Sequence, residues 1–420
     1  MAGGSPYAPM NRRYRLACLV THPIQYQAPM FRYLATEPAL ELTVFFLTDL
    51  STGPHYDSGF CAEISWDTPL GGYPLRFLTK GDNNGRLSFW RPTVHGLWRA
   101  LSSGNFDALW VHGYGHQALL RAIIYARAIG VAVLLRGDSR FGPPWPSAPK
   151  RRAKRILLSG LFRLIDAFLA VGSSNRDYYR HFGVEDDRIF MTPYAVNNDF
   201  FASQAAAATR RREVFRTELR LPRGHPMVLY AGKLQRLKRV DDLIEACAGF
   251  ERKRFEEAPY LVIVGDGPER VALEARARAL RFDSIRWAGF RNQSELPAFY
   301  DLCDLLVLPS DNEAWGLVLN EVMNAGKPVV ASDRVGASRD LIREGVNGVI
   351  FPAGDVAALR NSIAHVLENP ERAVQMGNAS RKIIGEWNFE ADRLGLLNAL
   401  AKIASVKGRQ SERLRVTSAS

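Results

Sequence analysis

The feature that most restricts how this chain can fold is a strand-length apolar run that keeps returning, separated each time by a segment of helical character. Runs over residues 15–20, 42–47, 108–112, 132–136 and 167–171 form a first series, with helical patterns at 29–36, 117–129 and 151–163 among them. A second series follows at 227–231, 260–264, 285–287, 305–308, 328–331 and 348–351. Short apolar runs of this kind are buried strands, and their alternation with helices predicts parallel sheets wrapped by helices. Two series in 420 residues predict two doubly wound α/β domains, at 12–200 and 222–385. The joint near 200–222 holds four consecutive alanines, Ala205 to Ala208, and an Arg-rich helix at 210–221. A helix at 386–405 is expected to close the fold by returning toward the first domain. Residues 1–13 read as a frayed lead-in and 405–420 as disordered. Ligands of open parallel sheets bind at the carboxyl ends of the strands, so two such sheets facing each other predict an interdomain cleft.

Composition narrows the function classes. Hydrophobic residues make up 47% of the chain, enough for sizeable cores, yet no apolar stretch reaches the roughly 18 residues that a membrane span needs. The start, Met1-Ala2-Gly3-Gly4-Ser5-Pro6, has neither the basic lead nor the apolar core of a signal peptide. Cys18, Cys61, Cys247 and Cys303 show no metal-ligand spacing and read as free thiols of a reducing cytoplasm. The net charge of +12 suits a phosphate-rich ligand, an anionic membrane face or nucleic acid. No helix-turn-helix, zinc-finger or aromatic-basic RNA motif accompanies it, so nucleic acid is not expected as a partner.

Chemistry concentrates in Glu313-Ala314-Trp315-Gly316-Leu317-Val318-Leu319-Asn320-Glu321. The apolar run before it is a strand, and the run after Gly316 is a helix that stops near Gly326 and Pro328. A helix N-terminus opening at the end of a strand presents bare N–H groups and partial positive charge, which bind anions. Eight residues of helix span about 12 Å, so Glu313 and Glu321 are too far apart to share a proton or a metal. They suit hydroxyls at two ends of one extended ligand with negative charge in its middle, such as a nucleotide-sugar.

Four elements in order extend this reading: Gly232-Lys233-Leu234 with Lys238, Val264-Gly265-Asp266-Gly267-Pro268, Gly289-Phe290, and Glu313 to Glu321. Together they resemble retaining glycosyltransferases of family 4, the glycosyl transferases group 1, strongly over about 225–385 and more loosely over the first half, where Thr21-His22-Pro23-Ile24-Gln25-Tyr26 is similar to the opening of a bacterial branch. The resemblance implies the GT-B fold of two Rossmann-like domains, acceptor-side first and donor-binding second. It also implies sugar transfer from a nucleotide diphosphate-sugar to an acceptor hydroxyl with retention, and no metal or other cofactor. Carried over by position, Lys233 and Lys238 hold the donor pyrophosphate, with Lys233 standing where the family more often has Arg. The N–H groups of Gly316, Leu317 and Val318 complete the phosphate cradle. Glu321 holds the ribose hydroxyls, Glu313 lies beside the donor sugar, and main chain around Phe290 and Arg291 lines the base pocket. Same-face attack, with the leaving phosphate taking the acceptor proton, and a covalent intermediate on Glu313 both stay open. Gly265, Gly267 and Asp340 read as architectural.

On the acceptor side, polar groups follow three strands: His22, then His112 with Gly113-Tyr114-Gly115, then Arg136-Gly137-Asp138-Ser139. In the family a His or Asp after the last of these strands touches the donor sugar. Here Asp138 would orient a hydroxyl, Arg136 would pair with the diphosphate, and His112 stands on the same rim. Ser173 and Asn175 follow another strand and can reach the cleft, though Asn175 reads first as a helix N-cap. The segment 150–163, after the loop Pro143-Pro144-Trp145-Pro146, is basic and amphipathic. It can set its apolar face on the core with its charges in water, or rest on an anionic membrane face and meet a lipid-linked acceptor. The acceptor class stays open among glycans, lipid-linked glycans and small molecules. The expected location is cytoplasmic, with room for peripheral attachment to the inner membrane face. A nucleotide-sugar 2-epimerase, or an inactive nucleotide-sugar-binding homologue, are the alternative functions.

Overall fold

The computed structural model describes residues 12–80, 87–142, 147–250 and 258–418, with side chains of the last helix described as far as 406. The Pro-rich loop at 143–146 and residues 1–11 of the lead-in lie outside the described residues. By packing, the chain divides into two units: the described residues of Met1–Gly53, Pro69–Pro193 and Phe389–Ser420, and those of Pro54–Thr68 and Tyr194–Asn388.

The first unit carries β1 (Tyr14–Val20), β2 (Leu40–Phe46), then, beyond the excursion of 54–68, strands β5 (Leu75–Phe77), β6 (Ala108–His112), β7 (Ala132–Gly137), β8 (Ala167–Ala170) and β9 (Ile189–Met191). The excursion itself holds a hairpin, β3 (His55–Asp57) with β4 (Ala62–Ile64). The seven-stranded sheet runs β5-β2-β1-β6-β7-β8-β9, all parallel. Successive strand residues point to opposite faces, and both faces are buried. Leu19, Leu109, Val111, Val133 and Leu135 join one core cluster, while Cys18, Val20, Ala108, Trp110 and Leu134 join the other. That two-sided burial is why these strands read as continuous apolar runs. Leu396, Ala399 and Leu400 of the helix Phe389–Ser418 complete the second cluster.

The second unit carries β10 (Met227–Ala231), β11 (Tyr260–Val264), β12 (Ile285–Gly289), β13 (Leu305–Leu308), β14 (Val329–Ser332) and β15 (Gly348–Phe351). Its six-stranded parallel sheet runs β12-β11-β10-β13-β14-β15. The chain builds outward from β10 in one direction and then restarts at β13 in the other. The switch point therefore lies between the carboxyl ends of β10 and β13, where ligands of such sheets bind.

Three expectations change. A contiguous first domain over 12–200 does not hold, because Pro54–Thr68 packs with the second unit and the division falls after Pro193. The tail is helical to Ser418 rather than disordered from 405; Lys407, Arg409, Gln410, Glu412, Arg413 and Leu414 are all good helix formers, so polarity there does not mean absence of structure. Asn175 is not an N-cap. It sits inside the helix Ser173–His181, where its side-chain oxygen accepts from Val171 N–H and its amide donates to the Ser139 carbonyl.

Candidate active site

The switch point of the second sheet gathers most of the residues singled out in that half. β10 ends at Ala231 and delivers Gly232-Lys233-Leu234; β13 ends at Leu308 and delivers the turn 309–316. Glu313 is fixed through its backbone, donating N–H to the Arg334 carbonyl and accepting from Gly336 N–H at 2.9 Å. Its carboxylate forms an ion pair with Lys238, and both side chains are about four-fifths buried. Trp315 anchors the turn. Its ring packs on Tyr194 and Trp387, and its indole N–H donates to Asn320 at 2.8 Å.

Gly316 then starts the helix Leu317–Asn324 from a left-handed conformation, φ +100°. A Cβ there would lie 2.9 Å from Leu308 Cδ2 and 3.1 Å from Val335 Cγ1, so both conformation and space require glycine. Its N-cap is a glycine and so offers no side-chain cap, which leaves the first-turn N–H groups of Leu317 and Val318 and the positive end of the helix dipole oriented away from the helix at the switch point.

Glu321 sits one turn further on, 2% exposed. One carboxylate oxygen accepts the Tyr300 hydroxyl; the other, Oε1, is buried with no partner among the described residues. Burial pushes the carboxyl up to about 7, against the lowering effect of the Tyr300 hydrogen bond. An unsatisfied buried acceptor is costly, and it suits a ligand that brings a hydroxyl donor.

Lys233 lies at the other side of the switch point. Its carbonyl accepts the buried Tyr230 hydroxyl at 2.9 Å, and its ammonium lies 2.9 Å from both carboxylate oxygens of Asp57. The same ammonium stands 4.8 Å above the Phe60 ring, whose edge-to-face contact with Phe290 is also 4.8 Å between centroids. Trp66 packs on Phe290 as well. Segment 54–68 is further tied to the stretch after Phe290: Asn292 donates to the Ser65 carbonyl, Ser294 N–H to Asp67, and the Thr68 hydroxyl to Gln293. Asp57, Phe60, Trp66 and Tyr300 were not singled out from the sequence. They adjoin residues far away in the chain, and nothing in their immediate neighbours signals it.

The first-unit candidates are placed differently. Arg136 does not present its guanidinium to a ligand. It is buried, with Nη1 2.8 and 3.0 Å from the two oxygens of Asp392 and the guanidinium over Trp110. The expected pairing of Arg136 with a diphosphate is therefore replaced by an internal ion pair. His112 is stacked on Trp110 and edge-on to Phe31. Its Nδ1 meets the Gln27 amide at 3.2 Å, while Nε2 is buried with no partner among the described residues. Burial first, and the Arg136 charge second, hold this imidazole well below the usual range, so it is neutral at pH 7. Asp138 is exposed just beyond β7, and His22 Nδ1 meets its neighbour Thr21 Oγ1 at 3.0 Å.

Two parallel α/β units, one with its site at a switch point beside an uncapped helix, are the architecture of GT-B glycosyltransferases. Solved structures agree on the fold. The chain is similar to sucrose-phosphate synthase from Thermosynechococcus elongatus, TM-score 0.67 at 19% identity over 96% of this chain and all of that one. It is similar to HepE from Anabaena in complex with UDP and glucose, TM-score 0.67 at 15% identity over 93% of this chain and all of that one. Residues 211–383 match the family model of glycosyl transferases group 1, and residues 35–195 match the glycosyl transferase 4-like domain. The chain belongs to this glycosyltransferase family. Among curated relatives, the alpha-D-kanosaminyltransferase of Streptomyces kanamyceticus is 36% identical over 49% of this chain and 52% of that protein. A D-inositol 3-phosphate glycosyltransferase of Salinispora arenicola is 27% identical over 58% of this chain and 56% of that protein. The chain thus spans about half the length of these relatives.

Proposed function

We propose that this protein is a retaining glycosyltransferase whose second unit binds a nucleotide diphosphate-sugar and whose product is a glycoside of an acceptor hydroxyl, in glycan or glycolipid assembly. The observation that carries the reading is Glu321. A buried carboxylate with one unpartnered oxygen, on the same helix as an uncapped N-terminus, matches a ribose hydroxyl at one end and a phosphate at the other. In the reaction, the bond from the anomeric carbon to the β-phosphate oxygen breaks and a bond to the acceptor oxygen forms. The acceptor proton passes to the leaving diphosphate. Negative charge grows on that diphosphate, and Lys233, Lys238 and the first-turn N–H groups of Gly316, Leu317 and Val318 are the groups that meet it. With that much positive charge supplied by the chain, no metal or cofactor is invoked. Glu313, held by Lys238, lies beside the sugar. Asp138 and His112 are the candidates on the acceptor side, His112 as a neutral hydrogen-bonding group.

Two features of known proteins support a nucleoside diphosphate donor: HepE is solved with UDP, and the relatives are named as sugar transferases. An epimerase or an inactive homologue is less well supported, since the catalytic-side pair Lys238–Glu313 and the donor-side Glu321 are all present. The test is a thermal-shift panel with UDP, GDP, ADP and dTDP on the wild type and Glu321→Ala. One nucleotide at about 100 times its dissociation constant stabilises the fold by about 2.7 kcal/mol, and the shift is lost in the variant. No shift with any nucleotide would overturn the donor site.

The helix Ala148–Phe162 supports a peripheral contact with an anionic lipid surface. Only Leu158 and Phe162 are buried. Ile156 and Leu157 are 68% and 71% exposed, next to exposed Lys150, Arg151, Arg152, Lys154 and Arg155. Exposed apolar residues flanked by cations suit the headgroup boundary of a bilayer. Among the described residues no helix is long and apolar enough to cross one.

A further inference from the structure

The hairpin formed by β3 and β4 belongs to the first half of the sequence, yet it packs wholly within the second unit, with its tip on Lys233. The fit is close. A Cβ on Gly59 would lie 2.6 Å from Lys233 Cδ and 2.8 Å from Nζ, so a larger residue at the tip would push the lysine side chain aside. The carboxylate that receives the ammonium is held by the tip's own backbone: Asp57 Oδ1 accepts N–H from Gly59 at 2.7 Å and from Phe60 at 3.1 Å. Asp57 is mostly buried, and Lys233 is about one-third exposed. Burial alone would raise the Asp57 carboxyl, but Lys233 and the two N–H groups outweigh it and the net shift is downward, so this is a charged pair at neutral pH.

We infer that Asp57 is a built-in counter-ion of the donor site, which occupies Lys233 as a phosphate would and must yield it when a nucleoside diphosphate binds. The inference rests on the donor-site reading. Two charges of like sign cannot both be served at full strength by one ammonium, and a diphosphate drawn to Lys233 is repelled by the carboxylate beside it. The exchange is within reach because Asp57 Oδ1 keeps its two N–H partners after the lysine turns away, so the charge keeps part of its hydrogen bonding. The hairpin therefore sets how tightly the site holds a diphosphate: tight enough for a donor that adds ribose and base contacts, and weak for diphosphate alone.

The test is calorimetric titration of the full chain with UDP and GDP, and with uridine and guanosine as ligands that lack the diphosphate. Asp57→Asn is expected to tighten diphosphate binding at least about fivefold, and nucleoside binding not at all. Lys233→Met is expected to weaken diphosphate binding more in the Asp57→Asn background than in the wild type, since Asp57 masks the lysine in the latter. Unchanged or weaker diphosphate binding by an Asp57→Asn protein of wild-type melting temperature overturns the inference, as does an equal loss from Lys233→Met in both backgrounds. If the wild type binds a diphosphate in a Glu321-dependent way, those failures leave the donor site standing. If neither wild type nor Asp57→Asn binds any diphosphate, the donor site falls and the inference falls with it.

Discussion

Arg136 and Asp392 stand 256 positions apart in sequence and meet as a buried pair, Nη1 of the one 2.8 and 3.0 Å from the two carboxylate oxygens of the other. Arg136 is the last residue but one of β7, and Asp392 lies in the first turn of the last helix, so the pair fastens that helix to the sheet. Burial raises the Asp392 carboxyl and the Arg136 charge opposes it.

Removing one partner leaves a buried charge. Arg136→Met is expected to cost about 3–5 kcal/mol, while Arg136→Met with Asp392→Leu is expected to recover most of it. Urea unfolding of the three proteins measures this. A single variant as stable as the wild type would show that the pair contributes nothing.

Glu321 makes stability pH-dependent in a defined direction. Its folded-state pKa, about 7, lies above the ordinary 4.5. Between those values the folded state holds more protons than the unfolded state, so stability falls as pH rises from 4.5 to 7 and is then flat in this respect. The size is of the order of 3 kcal/mol. Glu321→Gln is expected to remove that descending component from a melting curve taken across pH, even as it weakens nucleotide binding.

Lys238 touches Glu313 where charge would develop on the leaving group. Lys238→Ala is expected to lower kcat about 10²-fold with less effect on the melting temperature. A coupled assay of nucleoside diphosphate release reads it, and a change confined to KM would move Lys238 from transition state to ground-state binding.

Gly316→Ala tests the turn. With φ at +100° and Leu308 and Val335 in the way, the substitution is expected to cost about 1–3 kcal/mol and to abolish the nucleotide-induced thermal shift. Calorimetry of the variant with and without UDP or GDP decides both at once.

Ile156→Ser with Leu157→Ser leaves the charge of its helix unchanged. Co-sedimentation with vesicles containing phosphatidylglycerol is expected to drop for this variant at constant melting temperature, and to drop for the wild type as salt is raised. Equal sedimentation of both proteins would assign any binding to charge alone.

The central strands of the two sheets were legible because they are buried on both faces and stand out as unbroken apolar runs; 108–112, 227–231, 260–264, 305–308 and 348–351 were bounded as found, whereas the three-residue strands β5 and β9, only partly buried or exposed, were not read. The turn from Glu313 through the helix carrying Glu321 was legible because strand, glycine and helix are contiguous. The hairpin was not. Its strands have three residues each, too short for a period, and Asp57 meets a lysine 176 positions later. Arg136 was misjudged for the same reason. A polar residue at a strand's carboxyl end reads as a ligand contact, and only the distant Asp392 shows that it is an internal tie. Tyr300, the partner of Glu321, lies in the short helix Leu296–Leu302, whose apolar face explains a tyrosine well enough by itself.

The return of the last helix to the first unit has a consequence for synthesis on the ribosome. At about 5–20 residues per second, the stretch between Arg136 and Asp392 takes roughly ten seconds to a minute to emerge. For all that time the first sheet lacks the helix that covers part of one face, and Trp110 and Leu134 wait for Leu396, Ala399 and Leu400. The later-made half can be finished first. A nascent chain halted before residue 389 should therefore expose apolar surface on its older half, and chaperones would meet this protein there.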